Sequence, residues 1–109
     1  MIRENEDLEG ALREYRRLLE AGEYFEAHEV LEAAWHVLRR LDDPLRSPVK
    51  GLINAAIAFE HLKRGRPKAR RVAARALEAY RRRCRGDESP EIAASCRLVE
   101  RLIGERRFI

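Results

Sequence analysis

The side chains best suited to chemistry in this chain are His28, Glu29 and Glu32, which form the string H-E-x-x-E. Residues four apart share one face of an α-helix, so His28 and Glu32 point the same way, as two ligands of one divalent ion would. His36 continues the row. Zinc proteases use this geometry in H-E-x-x-H, where the second ligand is a histidine. Here that position is Glu32 and no third ligand follows in sequence, so the string alone is a weak protease motif.

The elements that hold these groups supply a second argument. If the helix carrying His28 and the next helix form an antiparallel hairpin turning near Pro44, level residues have numbers summing to about 89. That register sets His28 beside His61, Glu32 near Ile57 and Trp35 near Asn54. Two imidazoles and a carboxylate, from His28, Glu32 and His61, suit zinc or a similar divalent ion with an open position, with Glu29 or Glu60 in support. Three readings stay open. One is a His–Glu pair hydrogen-bonded within the core, because buried polar groups need partners. Another is a non-enzymatic pocket for a ligand, metal ion or protein, built from His28, Glu29, Glu32, Trp35, Asn54 and His61. The third is a metal-dependent hydrolase with Glu29 or Glu32 as base. Trp35 is read as a core anchor.

Five helices are predicted. Leu8, Ala11, Leu12, Tyr15, Leu18 and Leu19 recur at three- and four-residue intervals, and Gly22 offers a left-handed stop. A second helix runs from about Tyr24 to Leu41, burying Phe25, Ala27, Val30, Leu31, Ala34, Trp35, Leu38 and Leu41, and Asp42-Asp43-Pro44 ends it. Ser47 as N-cap and Pro48 as first helical residue start a third, over about 48–64. Its stretch Leu52 to Phe59 is apolar almost all round, the pattern of a helix enclosed by the others. Gly65 and Pro67 separate it from a fourth, whose buried stripe is Ala69, Val72, Ala73, Ala76, Leu77, Tyr80 and Cys84. Ser89-Pro90-Glu91 opens a fifth, with Ile92, Cys96, Val99 and Ile103 facing inward. The connections are short, which predicts a compact all-α bundle of sequentially antiparallel helices in one domain spanning 1–109.

Composition narrows the classes. With 45% hydrophobic residues in 109 the chain can build one core, and its Leu, Ala, Val and Ile suit interlocking helices. The N-terminus lacks the basic start and apolar run of a signal peptide, and no segment approaches the roughly 20 apolar residues of a membrane span, so a cytoplasmic protein without a membrane partner is expected. Charged residues make up 39% and Gln is absent, which resembles the composition of heat-adapted proteins. Cys84 and Cys96 lack metal-type spacing and fall on apolar stripes, which predicts two reduced core thiols, with a disulfide as the alternative. Charge is polarised along the chain. Lys63 to Arg85 holds eleven Lys or Arg and one acid, Glu78, leaving twelve basic and eighteen acidic residues elsewhere. Arg71, Arg75 and Arg82 share the face opposite the buried stripe of the fourth helix. They form a basic ridge for phosphates, nucleic acid or an acidic partner, or a solvated face paired with acids of neighbouring helices.

The segment Gly22 to Trp35, with F-E-A-H-E-x-x-E-x-x-W, and the segment Lys50 to Gly65, with G-L-I and a later His before Gly, resemble domain-of-unknown-function family three hundred and nine. The resemblance implies a small five-helix domain with one helix enclosed, and marks His28, Glu29, Glu32, Trp35, Gly51 and His61 as signature positions. It implies no established reaction or cofactor. Two positions depart from the family's pattern: Asn54, where members usually carry Gln, and Arg66, where they carry Asn.

Overall fold

A computed structural model describes residues 4–85 and 89–105, with side chains from Leu8 onward. The expectation for the first three residues lies outside that range. Five helices follow one another: α1 (Glu4–Glu20), α2 (Tyr24–Arg40), α3 (Arg46–Arg64), α4 (Ala69–Arg83) and α5 (Pro90–Glu105). No strand occurs among the described residues.

The stops are those the residues dictate. Gly22 and Gly65 adopt left-handed φ of 77° and 64°, which glycine reaches without a Cβ penalty. At the end of α1 the Gly22 and Glu23 N–H groups donate to the Leu19 and Leu18 carbonyls, capping them. The same device ends α2 with Asp42 in the glycine position, at φ 54°, its N–H and that of Asp43 donating to Arg39 and Leu38. The Ser89 hydroxyl caps α5 by accepting the Ile92 N–H at 3.1 Å. The expected Ser47 cap on α3 is not made. Asp43 Oδ1 accepts the Leu45 N–H at 2.9 Å, which tightens the turn, and the helix starts at Arg46 with Pro48 already inside its first turn.

Helix α3 is enclosed as its pattern requires. It packs against α2, α4 and α5, and Val49, Leu52, Ile53, Ala55, Ala56, Ala58 and Phe59 are wholly buried. Helix α1 reaches it through the buried Tyr15, whose hydroxyl donates to the Leu52 carbonyl at 2.7 Å. Burial holds the Tyr15 hydroxyl well above the ordinary tyrosine pKa, so it stays a donor. Helix α4 approaches α3 at Gly51, where a Cβ would meet the Tyr80 carbonyl oxygen and Arg83 Cβ at 3.1 Å. Sequential packing holds for α1 to α4. Helix α5 turns back to pack on α1 and α3, touching α4 at specific points. One is Tyr80, whose hydroxyl donates to the Cys96 carbonyl at 3.3 Å. Another corrects the reading of two reduced thiols: Cys84 and Cys96 are joined as a disulfide. Cys84 follows α4 at its C-cap in an extended conformation and stays buried, its Cβ close to Gly51 of α3.

Three expected core residues are exposed: Phe25 (46%), Leu41 (50%) and Val72 (39%). Leu41 lies in the turn after α2, beyond the packed part of the hairpin. Val72 is at the edge of a narrower stripe centred on Ala69, Ala73 and Tyr80. Phe25 lies in the first turn of α2, against His28.

Helices α1 and α5 are clasped by charge. Arg16 donates to the Glu91 carbonyl at 2.9 Å, the Ser95 hydroxyl at 3.0 Å and the Glu91 carboxylate at 2.5 Å. The Arg16 hydrogen bond lowers the Glu91 pKa against an opposing cost of burial, with the nearby charges of Arg16 and Arg13 adding to the lowering.

Three predictions follow from these contacts. Gly51→Ala should destabilise the protein by about 1–3 kcal/mol in denaturant unfolding, because a new methyl must push α3 from α4. Gly10→Ala, in mid-helix with its Cβ site 3.9 Å from the nearest atom, should stabilise by about 0.5–1 kcal/mol. A folded-state pKa below the unfolded one means that the Glu91 contribution is complete above the ordinary carboxylate range and is lost as pH falls through the lowered folded value. Glu91→Gln should therefore flatten the acid limb of a Tm-against-pH profile while leaving its neutral slope unchanged.

Candidate functional site

The H-E-x-x-E string lies on the half-buried to exposed side of α2, because Ala27 and Leu31 take the inward positions. His28 Nδ1 contacts the Phe25 carbonyl oxygen at 3.1 Å, and Nε2 contacts Glu32 Oε2 at 3.0 Å. Glu32 also faces His36, with Oε1 3.9 Å from Nε2. The expected row of His28, Glu32 and His36 therefore forms, with Glu32 in its middle. It is not a sealed core network, since the His28 and Glu32 side chains keep 20% and 43% of their exposure. Both nitrogens of His28 face oxygens, and a neutral imidazole donates to one of them at a time.

Helix α3 brings the second imidazole. His28 and His61 line the same cleft of about 200 Å³, together with Ile57 and Glu60. Helix α2 ends at Arg40 and α3 begins at Arg46, so the hairpin is tighter than a helix starting at Pro48 would make it. Trp35 lies against Lys50, whose Nζ is 4.5 Å from the ring centroid. Arg39 stands 5.6 Å from the same ring, so this half-buried tryptophan packs on the core with one side and takes cations on another.

The structure thus gathers part of the expected cluster. His28 and His61 share the cleft, and Glu32 holds His28 from beside it. Glu29 is exposed, Asn54 is half-buried, and neither lines the cleft; nor does Trp35. The three-ligand centre of His28, Glu32 and His61 is not assembled: among the described residues no group of three His, Cys, Asp or Glu side chains could hold a metal ion. The reason is the pairing of His28 with Glu32 along one helix, which directs the carboxylate to its own neighbour.

Four other residues complete the cleft. Tyr24 and Phe25 come from the first turn of α2, and Arg64 and Arg66 from the end of α3 and the loop beyond it. The Phe25 ring lies 5.4 Å from the His28 ring, which accounts for its exposure: it is a wall of the cleft. Tyr24 packs its ring 5.5 Å from that of the buried Phe59. Arg64 Nε donates to Glu60 Oε2 at 2.7 Å, while Lys63 Nζ donates to the Gly22 carbonyl at 2.9 Å and closes the α1–α2 turn over α3. Among the described residues the His61 ring makes no hydrogen bond or ion pair, and no buried polar atom lacks a partner, so its nitrogens are open to solvent in the cleft. The spacing of Phe25 three before His28, and of Arg64 three after His61, was the available signal for these residues.

On α4, Arg71, Arg75 and Arg82 are exposed as expected. The alternative of a face neutralised by neighbouring helices is met at one place only among the described residues, Arg81 with Glu100 at 3.5 Å.

A half-exposed His–Glu pair contributes little to stability. In a double-mutant cycle with His28→Ala and Glu32→Ala, the coupling energy should be about 0.3–0.5 kcal/mol by thermal or denaturant unfolding, well below that of a buried network.

The family model described as a domain of unknown function (DUF309) matches residues 12–72, which span α1 to the first turn of α4. An uncharacterized protein of Aquifex aeolicus (strain VF5) is 33% identical over 58 residues, covering 53% of this chain. The match spans 17% of that relative's length. No solved structure matches the chain. No helix among the described residues is long and apolar enough to cross a membrane.

Proposed function

The chain belongs to the DUF309 family, and from that premise we propose that it is a binding module whose α2/α3 cleft takes a small organic anion with a planar or apolar body. The observation that carries this reading is the division of the cleft into two chemistries. Tyr24, Phe25 and Ile57 offer an apolar and aromatic wall, while His61, Arg64 and Arg66 offer hydrogen-bond donors and positive charge. A guanidinium matches a carboxylate or phosphate in shape as well as charge. The cleft volume of about 200 Å³ lies below the range of drug-sized ligand sites, about 300–1,000 Å³, which limits the ligand to a single ring or a short chain.

Glu60 sets the sign of the site. Its carboxylate holds Arg64 and repels an anion, so a ligand must compete for that guanidinium. Arg66 has no such partner among the described residues. The hydrolase reading loses its support here, because Glu29 is outside the cleft and Glu32 is engaged by His28.

Calorimetry and ring-proton NMR with phenyl phosphate, benzoate, inorganic phosphate and zinc ion test this reading. Phenyl phosphate and benzoate should bind and shift the His28 and His61 resonances, and inorganic phosphate should bind more weakly for want of the ring. Arg66→Ala should weaken binding about tenfold and Glu60→Gln should tighten it. Ligand at about 100 times its Kd should stabilise the fold by about 2.7 kcal/mol. No binding of either aromatic anion at millimolar concentration, or zinc binding tighter than both at the same histidines, overturns the proposal.

A further inference from the structure

Outside the cleft, the most highly charged feature is the outer face of α4. We propose that this face is a docking surface for the phosphate backbone of double-stranded nucleic acid, without base recognition. Lys68, Arg71, Arg75 and Arg82 all lie opposite the buried Ala69, Ala73 and Tyr80, and all four are exposed. From Lys68 to Arg82 the row is about 21 Å long, at 1.5 Å of rise per residue. Among the described residues none of the four is paired with a carboxylate, although ion pairs are made on every other helix. The row is thus a line of unpaired cations, with Glu78 the one acid on its face, in a molecule whose remaining sequence is net acidic.

The chemistry around the row decides the partner. Protein interfaces are anchored by buried aromatic or aliphatic side chains, and the only large hydrophobic exposed on α4 is Val72, away from the row. A helix lying in a membrane surface needs a broad apolar face, which α4 spends on α3. Single-stranded nucleic acid is held by stacking on aromatics, and the outer row has none. A duplex needs charge alone: it presents one phosphate charge per roughly 1.7 Å of axis, so a 21 Å row spans about a dozen. Ala74 and Ala79 beside the row keep the helix slender, so that long arginine side chains reach out unobstructed. Glu78, exposed on the same face, is the single charge of the wrong sign.

The test uses the full chain and a fluorescent 20-base-pair duplex of arbitrary sequence, followed by anisotropy from about 50 to 300 mM salt. Four phosphate contacts predict a slope of log K against log salt of about −3 to −4. The triple variant Arg71→Ala, Arg75→Ala, Arg82→Ala should lower the slope to about −1 and weaken binding more than about tenfold at low salt. Glu78→Gln should tighten binding about two- to fivefold, an outcome that a loss of folding cannot produce. Unrelated duplexes should bind alike. The proposal is overturned by absence of binding at 50 mM salt, by a slope near zero, or by a triple variant that binds as the parent does. It is also overturned by tighter binding to the single strand, to polyglutamate or to phosphatidylserine vesicles. Phenyl phosphate should not compete at concentrations that fill the α2/α3 cleft, so this surface and the cleft succeed or fail separately.

Discussion

The arrangement of the molecule follows from the need to bury most of the surface of α3, which keeps only a partly exposed stripe through Lys50, Asn54, Ile57 and His61. A helix that is apolar almost all round cannot present a face to water, and each neighbour is shaped to cover it. Helix α1 contributes Tyr15, whose ring fills the core and whose hydroxyl is satisfied by the Leu52 carbonyl. Helix α4 comes close enough that a Cβ at position 51 would crowd the Tyr80 carbonyl oxygen and Arg83 Cβ at 3.1 Å. Helix α5 is drawn back across the bundle to cover α3 together with α1, and Arg16, Glu91 and Ser95 fix its angle by hydrogen bonds that only that docking allows. The resemblance marked Gly51 as a signature position, and its role is this helix contact.

The cleft exists where that enclosure stops. Phe59 is the last wholly buried residue of α3, and beyond it Glu60 and His61 are partly exposed and Arg64 is exposed. The last turn of α3 therefore extends past its cover and lies beside the start of α2 and the Gly22 turn that precedes it. Two short stretches of helix, each half-packed, leave a gap between them that Tyr24, Phe25 and His28 line from one side and Ile57, His61 and Arg64 from the other. Lys63 braces the gap by reaching the Gly22 carbonyl, so the left-handed turn that ends α1 also fixes one end of the site.

Much of this was legible in the sequence, and what was missed has a physical reason. Periodicity read the core face of each helix because burial is decided by which side faces α3, and Leu12, Tyr15, Leu31, Ile92 and Val99 are all buried as predicted. It misplaced Phe25, since hydrophobicity does not distinguish an aromatic ring that fills a core from one that walls a cleft. It placed His28 and His61 at one site, but Glu32 pairs with His28 along its own helix and does not line the cleft, so the three groups do not gather. Pairing within one helix is local and was readable; His28 with Glu32 is the result. Pairing between Cys84 and Cys96 was not, because it depends on α5 crossing back and on the extended exit of the chain from α4.

The loop from Gly65 to Lys68 is where the two charged features part. Arg66 belongs to the cleft, and Lys68 begins the outer row of α4 only two residues later. Left-handed Gly65 turns the chain out of α3, and Pro67 removes one backbone donor and fixes one φ at a point where no helix continues. A stiff, short connection of this kind aims successive cations at different partners without letting them neutralise one another's role. Glu60 holds Arg64 on the α3 side, and nothing comparable restrains the α4 row among the described residues. The two proposed sites therefore differ in kind: one offers shape and a few fixed donors in a confined space, and the other offers unpaired charge along a line. A ligand for the first has to fit, whereas a partner for the second has only to repeat its charge.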